Sequence, residues 1–95
     1  MNIDPKEPKK DDRDRFILSK GHIAEALFVT LSNRGFFDAS ELETFSCAGS
    51  KYIGHPNNKI NGVEMNTGAL GHGLALGVGM AIAAKMDHKD YRTYV

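Results

Sequence analysis

A glycine-rich segment at residues 62–73 carries the clearest chemical signal in this chain. It reads GVEMNTGALGHG and leads directly into an apolar stretch of helical length. Glycines leave the backbone bare, so N–H groups can approach a phosphate, and a helix N-terminus adds roughly half a positive charge. No Gly-Lys-Ser or Gly-Lys-Thr follows, so the segment is not a P-loop. The sequence therefore predicts a turn that binds an anionic phosphate group.

Three histidines, His22, His55 and His72, each follow a glycine. Imidazole can donate to phosphate or sugar oxygens and can transfer protons near neutral pH. Taken singly, each is more often a turn or helix-capping residue than a catalytic one. A zinc site is disfavoured because the histidine spacings match no metal-ligand template, and no pattern for a serine nucleophile is present. The histidines are therefore candidates for phosphate contact or proton transfer beside the plainer interpretation as turn residues, and metal ligation is disfavoured.

The apolar pattern predicts the elements that position these residues. A stripe of apolar residues at spacing four indicates a first helix, with Gly35 just past its last turn. Ser40 and Glu43 match a capping box for a second, short helix, whose buried side would be Leu42 and Phe45. The predicted elements are a strand at 16–18, helices at 22–34 and 41–46, a long ordered loop at 47–70, a helix at 71–86 and a strand at 91–95.

The third helix has no charged or polar side chain from Leu74 to Ala84, which predicts burial on all sides. Gly77 and Gly79 are expected to permit tight packing of this helix on a sheet. Met80 and Met86 are expected to fill the core. Without neighbours the helix would expose a large apolar patch.

The order of elements predicts an α/β fold with a parallel sheet. Two strands do not make a stable sheet, so we expect most of the sheet to lie outside this sequence. Residues 1–15 are polar and charged and are predicted to form an arm that is either a loop or disordered.

Composition excludes some classes of partner. The 12 basic and 12 acidic residues give a formal net charge of zero, so no general attraction to nucleic acid or to an anionic membrane is expected. The apolar stretch at 73–84 is too short to span a membrane, and no signal peptide is recognised. The single cysteine, Cys47, fits a reducing compartment and is expected to be inert and half-buried. A cytoplasmic protein is predicted.

Three motifs together resemble one enzyme family. Residues 12–22 read DRDRFILSKGH and resemble a signature of transketolases, especially of the N-terminal subunit of split bacterial and archaeal ones. Residues 54–56, GHP, and the segment 62–73 resemble two further transketolase motifs, in the same order. The resemblance covers about residues 3–95. It implies a thiamine diphosphate-dependent and magnesium-dependent enzyme that moves a two-carbon ketol unit between sugar phosphates, as in the pentose phosphate pathway.

The resemblance also implies roles for single residues. His22 corresponds to a histidine near the diphosphate and the reacting centre, and His55 to one that contacts a substrate hydroxyl or assists proton transfer. His72 stands where glutamine is frequent in the family and is treated as a cofactor contact. Glu64 matches the family but receives no role. The backbone that approaches the diphosphate would be Gly68, Ala69, Leu70 and Gly71.

We expect the chain to be part of a thiamine diphosphate-binding domain, at residues 1–95, that is incomplete at both ends. The magnesium ligands of the family, in a Gly-Asp-Gly segment and a later asparagine, have no counterpart here. The isolated chain is therefore predicted to be inactive. Expected partners are sugar phosphates and the remainder of a transketolase or its C-terminal subunit, in a dimer or another homo- or hetero-oligomer. The alternatives are a non-catalytic diphosphate-binding or interaction module, and a subunit that needs partner chains. The sugar phosphates are left open.

Overall fold

The computed structural model describes all of residues 1–95 and contains the elements in the predicted order, with the strands and the two longer helices somewhat shorter than predicted. Two short 3-10 helices accompany the regular elements. In chain order the elements are β1 (Arg15–Phe16), a 3-10 helix (Gly21–Ile23), α1 (Ala24–Asn33), a second 3-10 helix (Ala39–Thr44), α2 (His72–Met86) and β2 (Thr93–Tyr94).

The two strands pair in parallel, which confirms the predicted α/β class. Arg15 pairs with Thr93, and Phe16 with Tyr94. The pairing continues one residue further, because the amide of Ile17 donates to the carbonyl of Tyr94 at 2.9 Å. Each strand is shorter than predicted, and after β1 the chain bends at residues 19–20 toward α1.

The carboxylate of Asp14 joins three segments at the start of this strand pair. One oxygen accepts from the amide of Asn2 at 2.6 Å, and the other accepts from the amide of Arg92 at 2.8 Å. Asp14 is only 8% exposed. The Arg92 hydrogen bond, helped by that of Asn2, holds the pKa of this carboxyl below its ordinary value despite burial.

The core lies between α1 and the long loop rather than against α2. The long loop at 47–70 is ordered, as predicted, and it contributes three buried side chains to this core: Tyr52, Ile60 and Val63. The Tyr52 ring meets Phe28 of α1 edge-on, with centroids 5.5 Å apart. The other members of this core cluster are Ala24, Leu27, Leu31 and Phe36.

The predicted boundaries of the first two helices need correction. The helix predicted from residue 22 is α-helical only from Ala24, because the three residues before it form a 3-10 turn. Gly35 has the predicted left-handed backbone, with φ +86°. The capping box at Ser40 is wrong. Asp38 is the cap instead, and its carboxylate accepts from both the amide and the hydroxyl of Ser40, at 2.8 and 2.6 Å. The short helix is consequently a 3-10 helix that begins earlier.

α2 is not buried on all sides, contrary to the prediction. Its buried residues are small ones, Gly73, Gly77 and Ala84. Its large side chains face outward, with Leu74 62%, Val78 51% and Ile82 53% exposed. The expected apolar patch is therefore present, because only two short strands cover the helix.

The structure also tests the predictions for single residues of α2. A Cβ atom at Gly77 would collide with Val95 beside β2, which confirms the predicted close packing on the sheet. Gly79 meets nothing within 4 Å, so the same prediction is wrong there. Met86 is exposed rather than in the core, and Met80 is half-buried.

The remaining segments lie at the surface. Residues 1–15 form successive turns up to β1, and Ile3 packs against the core cluster. Cys47 is exposed rather than half-buried. No helix has the length and apolarity that crossing a bilayer requires.

Replacing Asp14 by Asn should lower the free energy of unfolding at neutral pH by roughly 1–3 kcal/mol, because one charge-assisted acceptor is lost. The folded pKa of Asp14 lies below its ordinary value of 3.8, so its contribution is complete above that pH and is lost as pH falls through the folded pKa. Chemical unfolding of both proteins from pH 7 to pH 3 should show the difference shrinking toward the acid end. A difference independent of pH would contradict this role for the carboxylate.

Candidate functional site

The backbone amides of residues 68–71 (the 68–71 turn) are the most available hydrogen-bond donors in the predicted site. Gly68, Ala69, Leu70 and Gly71 are exposed, and none of their amides donates to an acceptor within the chain. Gly71 has φ +86° and is the N-cap of α2. The turn therefore presents unpaired N–H groups at the positive end of a 15-residue helix.

The turn between β1 and α1 packs on both sides of the 68–71 turn. A Cβ atom at Gly21 would lie 2.5 Å from the carbonyl oxygen of Thr67. A Cβ atom at Gly73 would lie 2.5 Å from Cα of Ser19. Both contacts are possible only for glycine, so they bring the motif at 12–22 against the motif at 62–73. His22 follows Gly21 and is exposed beside this contact.

His55 reaches the 68–71 turn from the long loop. Its Cδ2 and Nε2 atoms lie 3.5 and 3.9 Å from the position that a Cβ atom would take at Gly68. The neighbouring Pro56 is buried and anchors the loop, whereas His55 itself is exposed. The structure thus places the His55 side chain beside Gly68, and it places His22 next to Gly21, whose backbone packs on Thr67.

A cavity of about 490 Å³ opens beside the turn. Its walls include His72 and two residues that the sequence reasoning missed, Asn66 and Thr67. The Thr67 hydroxyl is buried and has no hydrogen-bond partner. Its signal in the sequence is a hydroxyl residue immediately before the first glycine of the turn. The other lining residues are Gly68, Ala69, Ala75 and Leu76.

A second cavity, of about 270 Å³, lies between the N-terminal segment and α1. It is lined mainly by apolar side chains such as Phe16, Leu27 and Leu31, and by none of the predicted site residues. This second cavity is therefore separate from the predicted site.

Two arginines and one glutamate form the main ionic contact near this region. Arg13 Nη2 lies 2.5 Å from one carboxylate oxygen of Glu64, and Arg15 Nε lies 3.7 Å from the other. Residues 1–95 contain no group of three or more His, Cys, Asp or Glu side chains that could hold a metal ion. The site supplies unpaired backbone donors, which suit an anion.

This donor set fits a diphosphate. Backbone amides at a helix N-terminus bind phosphate oxygens well, since they are fixed donors that add no desolvated side-chain charge. Thr67 lines the same cavity, and its buried hydroxyl has no hydrogen-bond partner within the chain. The residues present therefore match the anionic part of the cofactor that the sequence predicts.

Comparison with known proteins agrees with this interpretation. Residues 1–94 match the family model described as "Transketolase, thiamine diphosphate binding domain". The chain belongs to this transketolase family. It is similar to a subunit of the apulose-4-phosphate transketolase of Phocaeicola vulgatus, with 55% identity over 95 residues, which are all of this chain and 34% of that protein.

Two further transketolases extend the comparison. A 6-deoxy-6-sulfo-D-fructose transketolase subunit of a Clostridium species is 42% identical, over 99% of this chain and 34% of that protein. The solved structure of Leishmania mexicana transketolase superposes with a TM-score of 0.89 at 34% identity, covering all of this chain and 16% of that one. The chain thus spans about a third or less of the length of these relatives. Its fold is that of part of an α/β thiamine diphosphate-binding domain.

Two glycines of α2 in this transketolase domain provide a matched test of the close contact. Gly73→Ala should lower the free energy of unfolding by about 1–3 kcal/mol, because its Cβ atom meets the backbone of Ser19. Gly79→Ala should raise it by up to about 1 kcal/mol, because nothing lies within 4 Å and alanine favours the helix. Thermal unfolding of both variants checks the opposite signs. Changes of the same sign and size in the free energy of unfolding of the two variants would contradict this close packing at Gly73.

Proposed function

We propose that this chain is the diphosphate-binding part of an enzyme that transfers a two-carbon ketol unit from a ketose phosphate to an aldose phosphate. The observation that carries the proposal is the convergence of two distant histidine motifs on four unpaired amides at the start of one helix. His55 lies beside Gly68, and Gly21, the residue before His22, packs against Thr67. A fold alone would not require both histidine motifs to lie beside that helix end.

The 68–71 turn would hold the diphosphate of thiamine diphosphate through its backbone amides, with Thr67 and His72 at the cavity wall. When bound, this cofactor supplies the carbanion chemistry of ketol transfer. Mg²⁺ would accompany the diphosphate, and its oxygen ligands would come from outside residues 1–95, which hold no suitable group.

The two histidines would have different roles in the reaction. His55, exposed and in contact with Gly68, would contact a substrate hydroxyl or carry a proton near the reacting centre. His22 would donate to the diphosphate or to the reacting region from the turn that packs on Thr67. Both roles require open access, and both side chains are exposed.

The apolar face of α2 supports a role within a larger assembly. Leu74, Val78 and Ile82 form an exposed apolar surface on a helix that only two short strands support. Such a surface is typical of an interface or of a face covered by further structure. We propose that this face is covered in a homo- or hetero-oligomer of the cytoplasm, by the remainder of a transketolase or by a partner chain. The relatives that are themselves named as transketolase subunits favour such a partner. A self-contained binding module would be expected to carry polar residues there.

A chimera tests the proposal directly. In this chimera, the chain replaces the matching 95-residue segment of the Phocaeicola vulgatus transketolase subunit, which is 55% identical. The chimeric subunit is then assayed together with the other subunit of that enzyme. We expect thiamine diphosphate binding and ketol transfer by the chimera. The isolated chain should show no activity above the blank.

Activity of the isolated chain would contradict the need for further structure. A folded chimera that binds no thiamine diphosphate would favour the non-catalytic module. A chimera that binds the cofactor but stays inactive would point to a binding role alone.

His55→Gln in the chimera should lower kcat/KM by roughly a hundredfold or more, as expected for loss of proton transfer, while thiamine diphosphate affinity changes little. His88→Asn is the matched control. His88 is an exposed turn residue with φ +52°, which asparagine also tolerates. Steady-state kinetics and cofactor titration measure both effects. Normal turnover of the His55 variant would remove the catalytic role.

A further inference from the structure

Glu64 makes a long-range ionic contact that the proposed roles do not use. Its carboxylate meets Arg13 at 2.5 Å and Arg15 at 3.7 Å. The Arg13, Arg15 and Glu64 side chains are only 16%, 12% and 17% exposed. Charges with so little access to water interact strongly, and they are costly to leave unpaired.

The two arginines are themselves fixed to other parts of the fold. Arg15 lies in β1, and its guanidinium stacks over the Tyr91 ring at 4.2 Å. Arg13 Nε donates to the carbonyl of Pro8 at 2.9 Å. Through these contacts Glu64 is tied to the strand pair and to the N-terminal segment rather than to a mobile surface group.

Two further contacts hold the short run of chain between Glu64 and the 68–71 turn. The side-chain oxygen of Asn66 accepts from the amide of Asn58 at 2.7 Å. The carbonyl of Thr67 lies against Gly21. The run is therefore fixed at its start by an ion pair, at its middle by a hydrogen bond and at its end by backbone packing.

We infer that Glu64 is a positioning residue for the 68–71 turn: its carboxylate, held by two arginines, fixes the chain that leads into the unpaired amides. The inference rests on the proposed function, because it concerns how the same turn is prepared to bind a diphosphate. Donors that are ordered before binding need not be ordered by the ligand, and this raises affinity. Glu64 touches no ligand in this role and acts through the backbone.

The test uses Glu64→Gln in the chimera with its partner subunit. Gln is isosteric but uncharged, so the arginines lose their counter-ion without a change in volume. Isothermal titration with thiamine diphosphate, and separately with inorganic pyrophosphate, should show affinity lowered by roughly tenfold for both ligands, within the range of coupling between contacting residues. Equal losses are expected because the effect lies in the amides and not in contacts to the thiamine rings. Glu64→Asp keeps the charge and should recover part of the loss.

Glu41→Gln is the matched control. Glu41 pairs with Lys51 at 2.8 Å and accepts from the Tyr52 hydroxyl at 2.9 Å, far along the chain from the turn. It should lower thermal stability without changing either affinity. The double variant Arg13→Gln with Glu64→Gln should bind no more weakly than Glu64→Gln alone, since both remove the same contact.

The outcomes separate the inference from the proposed function. An unmodified chimera that binds no thiamine diphosphate contradicts the proposed function. The positioning role is overturned if the unmodified chimera binds thiamine diphosphate normally and the Glu64→Gln chimera, measured below its unfolding temperature, binds it equally tightly. Additive losses in the double variant would also overturn it.

Discussion

The arrangement of this domain depends on the close approach of the Ser19–His22 turn to the residues on both sides of the 68–71 turn. Thr67 lies against Gly21 on one side, and Gly73 lies against Ser19 on the other, with no room for a Cβ atom at either glycine. These contacts fix where α2 begins relative to β1, and therefore which way its unpaired amides point. Because the approach is backbone to backbone, it leaves little freedom for adjustment.

The same constraint explains the unusual burial of α2. The helix meets the strand pair through small residues, as Gly77 packs against Val95 and Ala84 is buried. Small residues allow the helix axis to approach the sheet closely, and the larger apolar side chains are then turned away from it. Those side chains, including Leu74 and Ile82, are exposed here. The helix thus has one face adapted to its own sheet and another adapted to apolar cover, as expected of a helix in the interior of a larger protein.

Local signals in the sequence were sufficient for the order of elements and for the position of α2. Glycines followed by a long apolar run mark a helix start, and the structure begins α2 at His72. Local signals were insufficient where several residues could fill the same position. Asp38 and Ser40 are both good N-cap residues for the short helix, and only packing decides between them. Burial of Tyr52 and Ile60 arises from contacts with α1, so an aperiodic loop gave no sign of it. The contact of His55 with Gly68 is likewise a product of tertiary packing; the resemblance placed both in one site, whereas spacing alone did not.

The proposed binding turn has no formal charge of its own, so preorganisation would contribute to its affinity. The chain has a formal net charge of zero, and the unpaired donors of the 68–71 turn are neutral amides, so the protein as a whole gives no long-range attraction to an anion. Amides bind an anion well only when they already point at one place, because ordering them costs about 1–2 kcal/mol per residue. Residues that hold the turn, such as Glu64, would then contribute to affinity without carrying the donors themselves. A change that loosens the turn should weaken anion binding even where every donor is retained.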